Sequence, residues 1–198
     1  MSATVVLTVP PWLAGVRLAA PIAMAMVCKR YAVTDGRRHV PVPTQVAATR
    51  TAVPSGADIL NNTIKRVLAD PDTDDIVVMG ASLGSVIISR WLDSYGRQPG
   101  RPSPSRLRCV LLANPIRGTA HGAPKLDRFN GAPVQPTPTN TGYKVDDVAR
   151  KYDKYAFPAG KPSSGVHSNY FAVDLKNLKG TALTPPERVG STTYWVVP

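Results

Sequence analysis

Cysteine is scarce in this chain. Cys28 and Cys109 are the only two among 198 residues, so at most one bridge can form and a disulfide-stapled scaffold is excluded. Neither sits in a CxxC or Cys/His spacing, which removes the usual signature of a zinc site. Long apolar runs are also missing: none reaches the roughly 18 residues that a membrane-spanning helix needs, so no transmembrane segment is expected. The first ten residues lack the basic cluster that opens a secretory signal, and Pro10 and Pro11 interrupt their apolar run. No signal peptide is expected, and the location of the protein stays open. Acidic residues are the third deficit. Thirteen Asp plus Glu face 24 Lys plus Arg, for a formal charge of +11, which favours anionic surfaces through a long-range, salt-screened field. The basic residues are spread along the chain, with no RNP, helix-turn-helix or zinc-finger pattern among them, so a specific nucleic-acid site is not expected. An anionic envelope surface is the partner class this charge leaves in view.

The chain is long enough for one domain with a sizeable core, and residues 1–198 read as one. Residues 5–9 are β-branched and apolar, a short buried strand. Residues 18–32 are rich in Ala and Met and read as a helix with Pro21 in its first turn. Residues 39–54 carry three prolines and read as extended or edge structure. Ser55 is the expected N-cap of a helix to Ala69, with Ile59, Ile64, Val67 and Leu68 on its buried stripe. The unbroken apolar run at 76–79 marks a central parallel strand. Residues 85–95 follow as a helix closed by Gly96. Further strands are expected at 106–113, 143–148 and 191–197, and 117–140 reads as a polar surface segment. Strands alternating with helices in this way imply a mainly parallel sheet between two helical layers.

The chemistry centres on Gly80-Ala81-Ser82-Leu83-Gly84, a GxSxG pentapeptide lying between an apolar strand and an amphipathic helix. A serine nucleophile in that turn needs small neighbours, because the backbone is strained and closely approached, and the helix N-terminus favours developing negative charge. A hydroxyl is a weak nucleophile, so a base must take its proton and a carboxylate must orient the base. In this fold the acid and then the base follow the serine along the chain. His39 precedes Ser82, His121 precedes the acidic candidates, and His167 remains as the base. Asp146, Asp147 and Asp153 are the candidate acids. The first two lie within the strand expected at 143–148, on opposite faces, whereas Asp153 lies just past its carboxyl end and is the first choice. The oxyanion hole draws on the backbone N–H of Leu83 plus one from the loop after the first strand, where Pro10 and Pro11 have none to give and Trp12 or Leu13 is next. No metal or organic cofactor is required.

Taken together, Gly80 to Gly84, the run Leu111-Leu112-Ala113-Asn114-Pro115, the segment 147–158 with Tyr152-Asp153 and Phe157-Pro158, Val166-His167 before Tyr170, and the closing residues 193–198 resemble the PE-PPE domain of mycobacteria. The resemblance runs in order from about Val5 to the end. It implies a cutinase-like serine α/β hydrolase from mycobacteria or their phages, with Ser82 as nucleophile, Asp153 as acid and His167 as base, acting on lipid-like acyl esters by hydrolysis or acyl transfer. The chain departs from the family pattern at Ala156, where a second aspartate is usual, and at Pro10-Pro11-Trp12, where a glycine-rich turn is common. The alternative is a hydrolase-fold binding or virion-associated module that docks on an anionic envelope.

Overall fold

The computed structural model describes residues 3–11, 24, 37–44 and 49–198. Its frame is a seven-stranded sheet in the order β2-β1-β3-β4-β7-β9-β8. Here β1 is Ala3–Val9, β2 Arg38–Pro41, β3 Thr73–Ala81, β4 Leu107–Leu112, β7 Lys144–Arg150, β8 Glu187–Val189 and β9 Thr192–Val197. All neighbours pair in parallel except β8, which runs antiparallel to β9 at the edge. Two helices, α1 (Ala52–Leu68) and α2 (Leu83–Ser94), pack on one face. There Leu60, Ile64, Ile87 and Trp91 join Val5, Leu7, Val78 and Leu111 in one buried cluster. A second cluster on the other face gathers Met24, Met79, Leu112, Val148, Tyr170 and Trp195, with the short helix α4 (Leu178–Thr181) packed against β9. The alternation of clusters follows the strand period: Val5 and Leu7 face α1 and α2, while Val6 between them faces away.

Strand order sets the position of the site. From β1 the sheet grows one way to β2 and the other way through β3 and β4. Parallel sheets leave a crevice at the carboxyl ends of the strands where the order reverses. Ser82 lies at that edge, directly after β3.

Several details differ from the sequence expectations. The helix expected at 18–32 falls outside the described residues, save for Met24, which is helical and buried. Helix α1 starts at Ala52, not after Ser55, and Thr51 at its N-cap makes no side-chain cap. Ser55 instead turns its hydroxyl back to the Thr51 carbonyl at 2.6 Å, and Pro54 is accommodated in the first turn, where no N–H donor is needed. Helix α2 starts two residues early, at Leu83, and is capped by Tyr95. Gly96 follows, not as a left-handed cap but because a Cβ there would lie 2.5 Å from the Leu92 carbonyl oxygen. The segment 117–140 is less of a surface loop than its composition implies. It contains a hairpin of β5 (Arg128–Phe129) and β6 (Ala132–Pro133), turned at Asn130-Gly131 with both φ positive, and it buries Arg117, Val134 and Thr137 against α2 and the sheet.

Candidate active site

Ser82 adopts φ 51° and ψ −112°, a left-handed conformation that a non-glycine residue takes only when its surroundings impose it. Those surroundings are the two glycines. A Cβ on Gly80 would lie 2.6 Å from the backbone of Gly84, and a Cβ on Gly84 would lie 2.1 Å from the carbonyl oxygen of Val9. The start of α2 therefore sits directly on the end of β1, which only glycine allows. The turn is further tied to β4: the Ser82 N–H donates to Leu112 O at 2.9 Å, and the Ser85 hydroxyl lies 2.9 Å from Gly80 O and 2.8 Å from Leu112 O. Leu83 is the first residue of α2, so its N–H has no acceptor within the helix. Trp12 and Leu13, the other candidate donors, lie outside the described residues.

Asp153 and His167 reach Ser82 from beyond β7. After Arg150 the chain passes Tyr152, which has φ 71°, and folds into a tight unit. Asp153 bridges both Phe157 and Ser163, the Ser163 N–H donates to Tyr152 O at 2.8 Å, and the His167 N–H reaches Ser163 O at 3.4 Å. His167 closes the short helix α3 (Ser164–His167), whose N-cap Ser163 accepts from Gly165 N–H. The result brings together the three side chains singled out in the sequence. Ser82 Oγ is 2.9 Å from His167 Nε2, and His167 Nδ1 is 2.8 Å from Asp153 Oδ1. A carboxylate can only accept, so Nδ1 carries the proton and Nε2 is the acceptor for the Ser82 hydroxyl.

The other candidates are occupied elsewhere. His39 on β2 pairs with the Thr8 hydroxyl at 2.8 Å. His121 stacks on Tyr194 and meets Glu187 at 2.9 Å. Asp146 and Asp147 take opposite faces of β7, as the strand period requires. Asp146 accepts from the Trp195 indole at 3.0 Å. Asp147 is fully buried, with Asn114 Nδ2 at 2.6 Å and Arg117 Nε at 3.4 Å. Burial pushes its carboxyl above the ordinary range, against the pull of Arg117 and Asn114. This pair ties Asn114 and Arg117 to β7, and breaking a buried pair of this kind typically costs about 3–5 kcal/mol.

One side chain at the site was not given a role from sequence. The Tyr170 hydroxyl donates to Asp153 Oδ2 at 2.7 Å and accepts from Arg150 N–H at 2.9 Å. Burial raises the Asp153 carboxyl, but the His167 hydrogen bond and charge, Tyr170 and the Tyr155 N–H outweigh it and hold the group below its ordinary value. The Ala156 N–H adds a further bond at 3.0 Å, at the position where the family pattern departs. That bond uses backbone alone, so the departure leaves the carboxylate's support intact.

A strained serine after a central strand, an imidazole and a buried carboxylate at the same sheet edge define a cutinase-like α/β hydrolase fold. Solved structures of that fold include a cutinase-like protein from Cryptococcus sp., at 15% identity over 86% of this chain and 87% of that one with a TM-score of 0.62. The catalytic core domain of acetyl xylan esterase from Trichoderma reesei is similar at 17% identity, 86% and 91% coverage and a TM-score of 0.55. Lysin B from mycobacteriophage D29 is similar at 18% identity, 87% and 72% coverage and a TM-score of 0.53. Identities this low speak to the fold alone. The chain belongs to the PE-PPE domain family, whose pattern matches residues 30–198. The match starts later than the expected Val5, so β1 and the Pro10-Pro11-Trp12 stretch of sequence lie outside it. No curated protein matches the sequence.

Proposed function

We propose that this protein is a serine esterase acting on acyl esters, with Ser82 as nucleophile, His167 as general base and acid, and Asp153 as the orienting carboxylate. The observation that carries the reading is the unbroken relay Ser82 Oγ to His167 Nε2 and His167 Nδ1 to Asp153 Oδ1, at 2.9 and 2.8 Å. As Ser82 Oγ attacks the ester carbonyl carbon, its proton passes to Nε2. The imidazolium that forms is stabilised by Asp153, and the oxyanion is met by the Leu83 N–H at the start of α2, Trp12 or Leu13 being the sequence candidates for a second donor. Collapse expels the alcohol, which takes the proton from Nε2. Water then repeats the sequence on the acyl-enzyme and releases the acid, and an alcohol acceptor in place of water gives acyl transfer. The cutinase-like and acetyl xylan esterase neighbours support an ester as substrate, and a lipid-like acyl chain is what the resemblance to the family implies.

A fluorophosphonate probe tests the assignment, because it captures an activated serine and not a structural one. Stoichiometric labelling of the wild type, lost in Ser82→Ala together with hydrolysis of p-nitrophenyl esters, is the expected result. A folded wild-type protein that neither labels nor turns over short- or long-chain esters would instead be a hydrolase-fold binding module.

A further inference from the structure

The segment that brings Asp153 and His167 to Ser82 also has an outer surface of unusual composition. Residues 150–169 contain four basic side chains, Arg150, Lys151, Lys154 and Lys161, and a single carboxylate, Asp153, which is fully buried. Lys151, Lys154 and Lys161 are exposed. Among the described residues no carboxylate forms an ion pair with any of the three. Of the four large hydrophobic side chains that stand exposed among the described residues, two are here: Tyr152 at 39% and Tyr155 at 43%. Each has a lysine ammonium near its ring, Lys151 at 5.0 Å from Tyr152 and Lys154 at 5.6 Å from Tyr155. Tyr155 also meets the His167 ring edge-on, with centroids 4.7 Å apart, so this surface borders the site itself.

We propose that this outer face is an interfacial docking surface by which the enzyme sits on an anionic lipid layer, with the Ser82 site facing the layer. The proposal rests on the esterase reading for its purpose but not for its test. Lysine stems and tyrosine rings are the side chains that straddle a boundary between apolar and aqueous phases, and lysines near an anionic leaflet add affinity individually. With the only acid of residues 150–169 buried, this segment contributes positive charge and no exposed carboxylate of its own. The segment is also a rigid platform. It is cross-tied by the Tyr152, Asp153 and Ser163 backbone bonds and by Arg150, whose guanidinium donates to Asn169 O and Pro198 O, each at 2.6 Å, so what binds the face is held in fixed relation to His167. Polynucleotides are the competing polyanion, but the two rings that could stack on bases are paired with lysines of the same loop.

The test compares vesicles of phosphatidylcholine alone with vesicles containing about a third phosphatidylglycerol, using wild type, a Lys151→Gln/Lys154→Gln/Lys161→Gln triple variant and a remote Lys65→Gln/Arg66→Gln/Lys144→Gln triple variant. Wild type should bind only the anionic vesicles, less as salt rises. The face variant should bind roughly a hundredfold more weakly, about fivefold for each lysine, while keeping wild-type turnover of a short soluble ester. The remote variant, with the same total charge, should bind nearly as wild type does. Equal weakening in both variants, absence of vesicle binding by wild type, or duplex DNA binding that depends on the face lysines without vesicle binding would each overturn the proposal. Soluble-ester turnover reports separately: if it is absent while vesicle binding follows the expected pattern, the esterase reading fails and the docking surface stands.

Discussion

At Asp153 the two carboxylate oxygens are loaded unequally. Among the described residues, Oδ1 takes His167 Nδ1 and the N–H groups of Tyr155 and Ala156, whereas Oδ2 takes only Tyr170. Tyr170 thus fixes the rotation of the carboxylate about its Cβ–Cγ bond, and with it the plane in which the imidazole lies. Tyr170→Phe should lower kcat roughly tenfold with KM little changed, since a hydrogen bond to a charged group is lost at one remove from the reacting atoms. A carboxylate with less donated hydrogen bonding stabilises the protonated imidazole more strongly, so the acidic limb of kcat/KM should move to higher pH. A kcat loss with an unmoved limb would mean that Tyr170 only fills space. Asp153→Asn should be far worse, by roughly 10⁴-fold in kcat. Asp146→Asn should remain close to wild type because its partner is Trp195 and not the imidazole. Kinetics on one soluble ester, across pH for the tyrosine variant, check all three.

Among the elements, the contact that matters most is the end of β1 against the first turn of α2. With the Val9 carbonyl 2.1 Å from any Cβ on Gly84, Gly84→Ala must push α2 outward and carry Ser82 and the Leu83 N–H with it. Overpacking of this kind costs about 1–3 kcal/mol, so Tm should fall by roughly 5 °C, and fluorophosphonate labelling should slow even where the fold persists. A Gly84→Ala protein with wild-type labelling would mean that the helix start gives way without disturbing the serine. The strand–turn–helix around Ser82 was legible in sequence from the GxSxG between an apolar strand and an amphipathic helix, whereas the seating of α2 on the end of β1 was not, because it joins residues as far apart in the chain as Val9 and Gly84. The central strands were legible too, their apolar runs being continuous. Strand β8 was not: Glu187, Arg188 and Val189 are all exposed, so no buried face imposes a period of two. The β5–β6 hairpin was hidden for a related reason, two residues per strand being too few to carry a pattern although Asn130-Gly131 is a turn signal. The GxSxG context singled out Ser82 and chain order singled out His167, while Asp153 was preferred to Asp146 and Asp147 by its place past the end of the strand. The Tyr170 hydrogen bond and the Arg117–Asp147 pair were not selected, because each joins residues whose spacing has no local meaning.

Across the whole molecule, the charge of +11 gives acid stability a long-range part that salt can separate from the short-range ones. As pH falls the carboxylates neutralise, the net positive charge rises, and self-repulsion grows; this part is long-ranged and weakens when the Debye length is shortened to about 3 Å at 1 M salt. One of the short-range parts is local to Asp153. Its carboxyl is held below the ordinary value by His167, Tyr170 and the Tyr155 N–H against burial. The native state therefore releases this proton more readily than the unfolded chain, whose carboxyl titrates near 3.9. The resulting stabilisation is complete above that unfolded value and is lost as pH falls through the lower folded value. Because Asp153 is fully buried, its short-range hydrogen bonds are poorly screened. Wild-type denaturation midpoints in urea should accordingly fall between pH 5 and pH 3 at low salt, and fall less steeply but still measurably at 1 M salt. In Asp153→Asn the residual high-salt decline should flatten, because the variant has no proton to gain at that position. If Asp153→Asn followed the wild-type curve at 1 M salt, the carboxylate would be stabilised no more in the native state than in the unfolded chain, and its four hydrogen bonds would be serving the orientation of His167 alone.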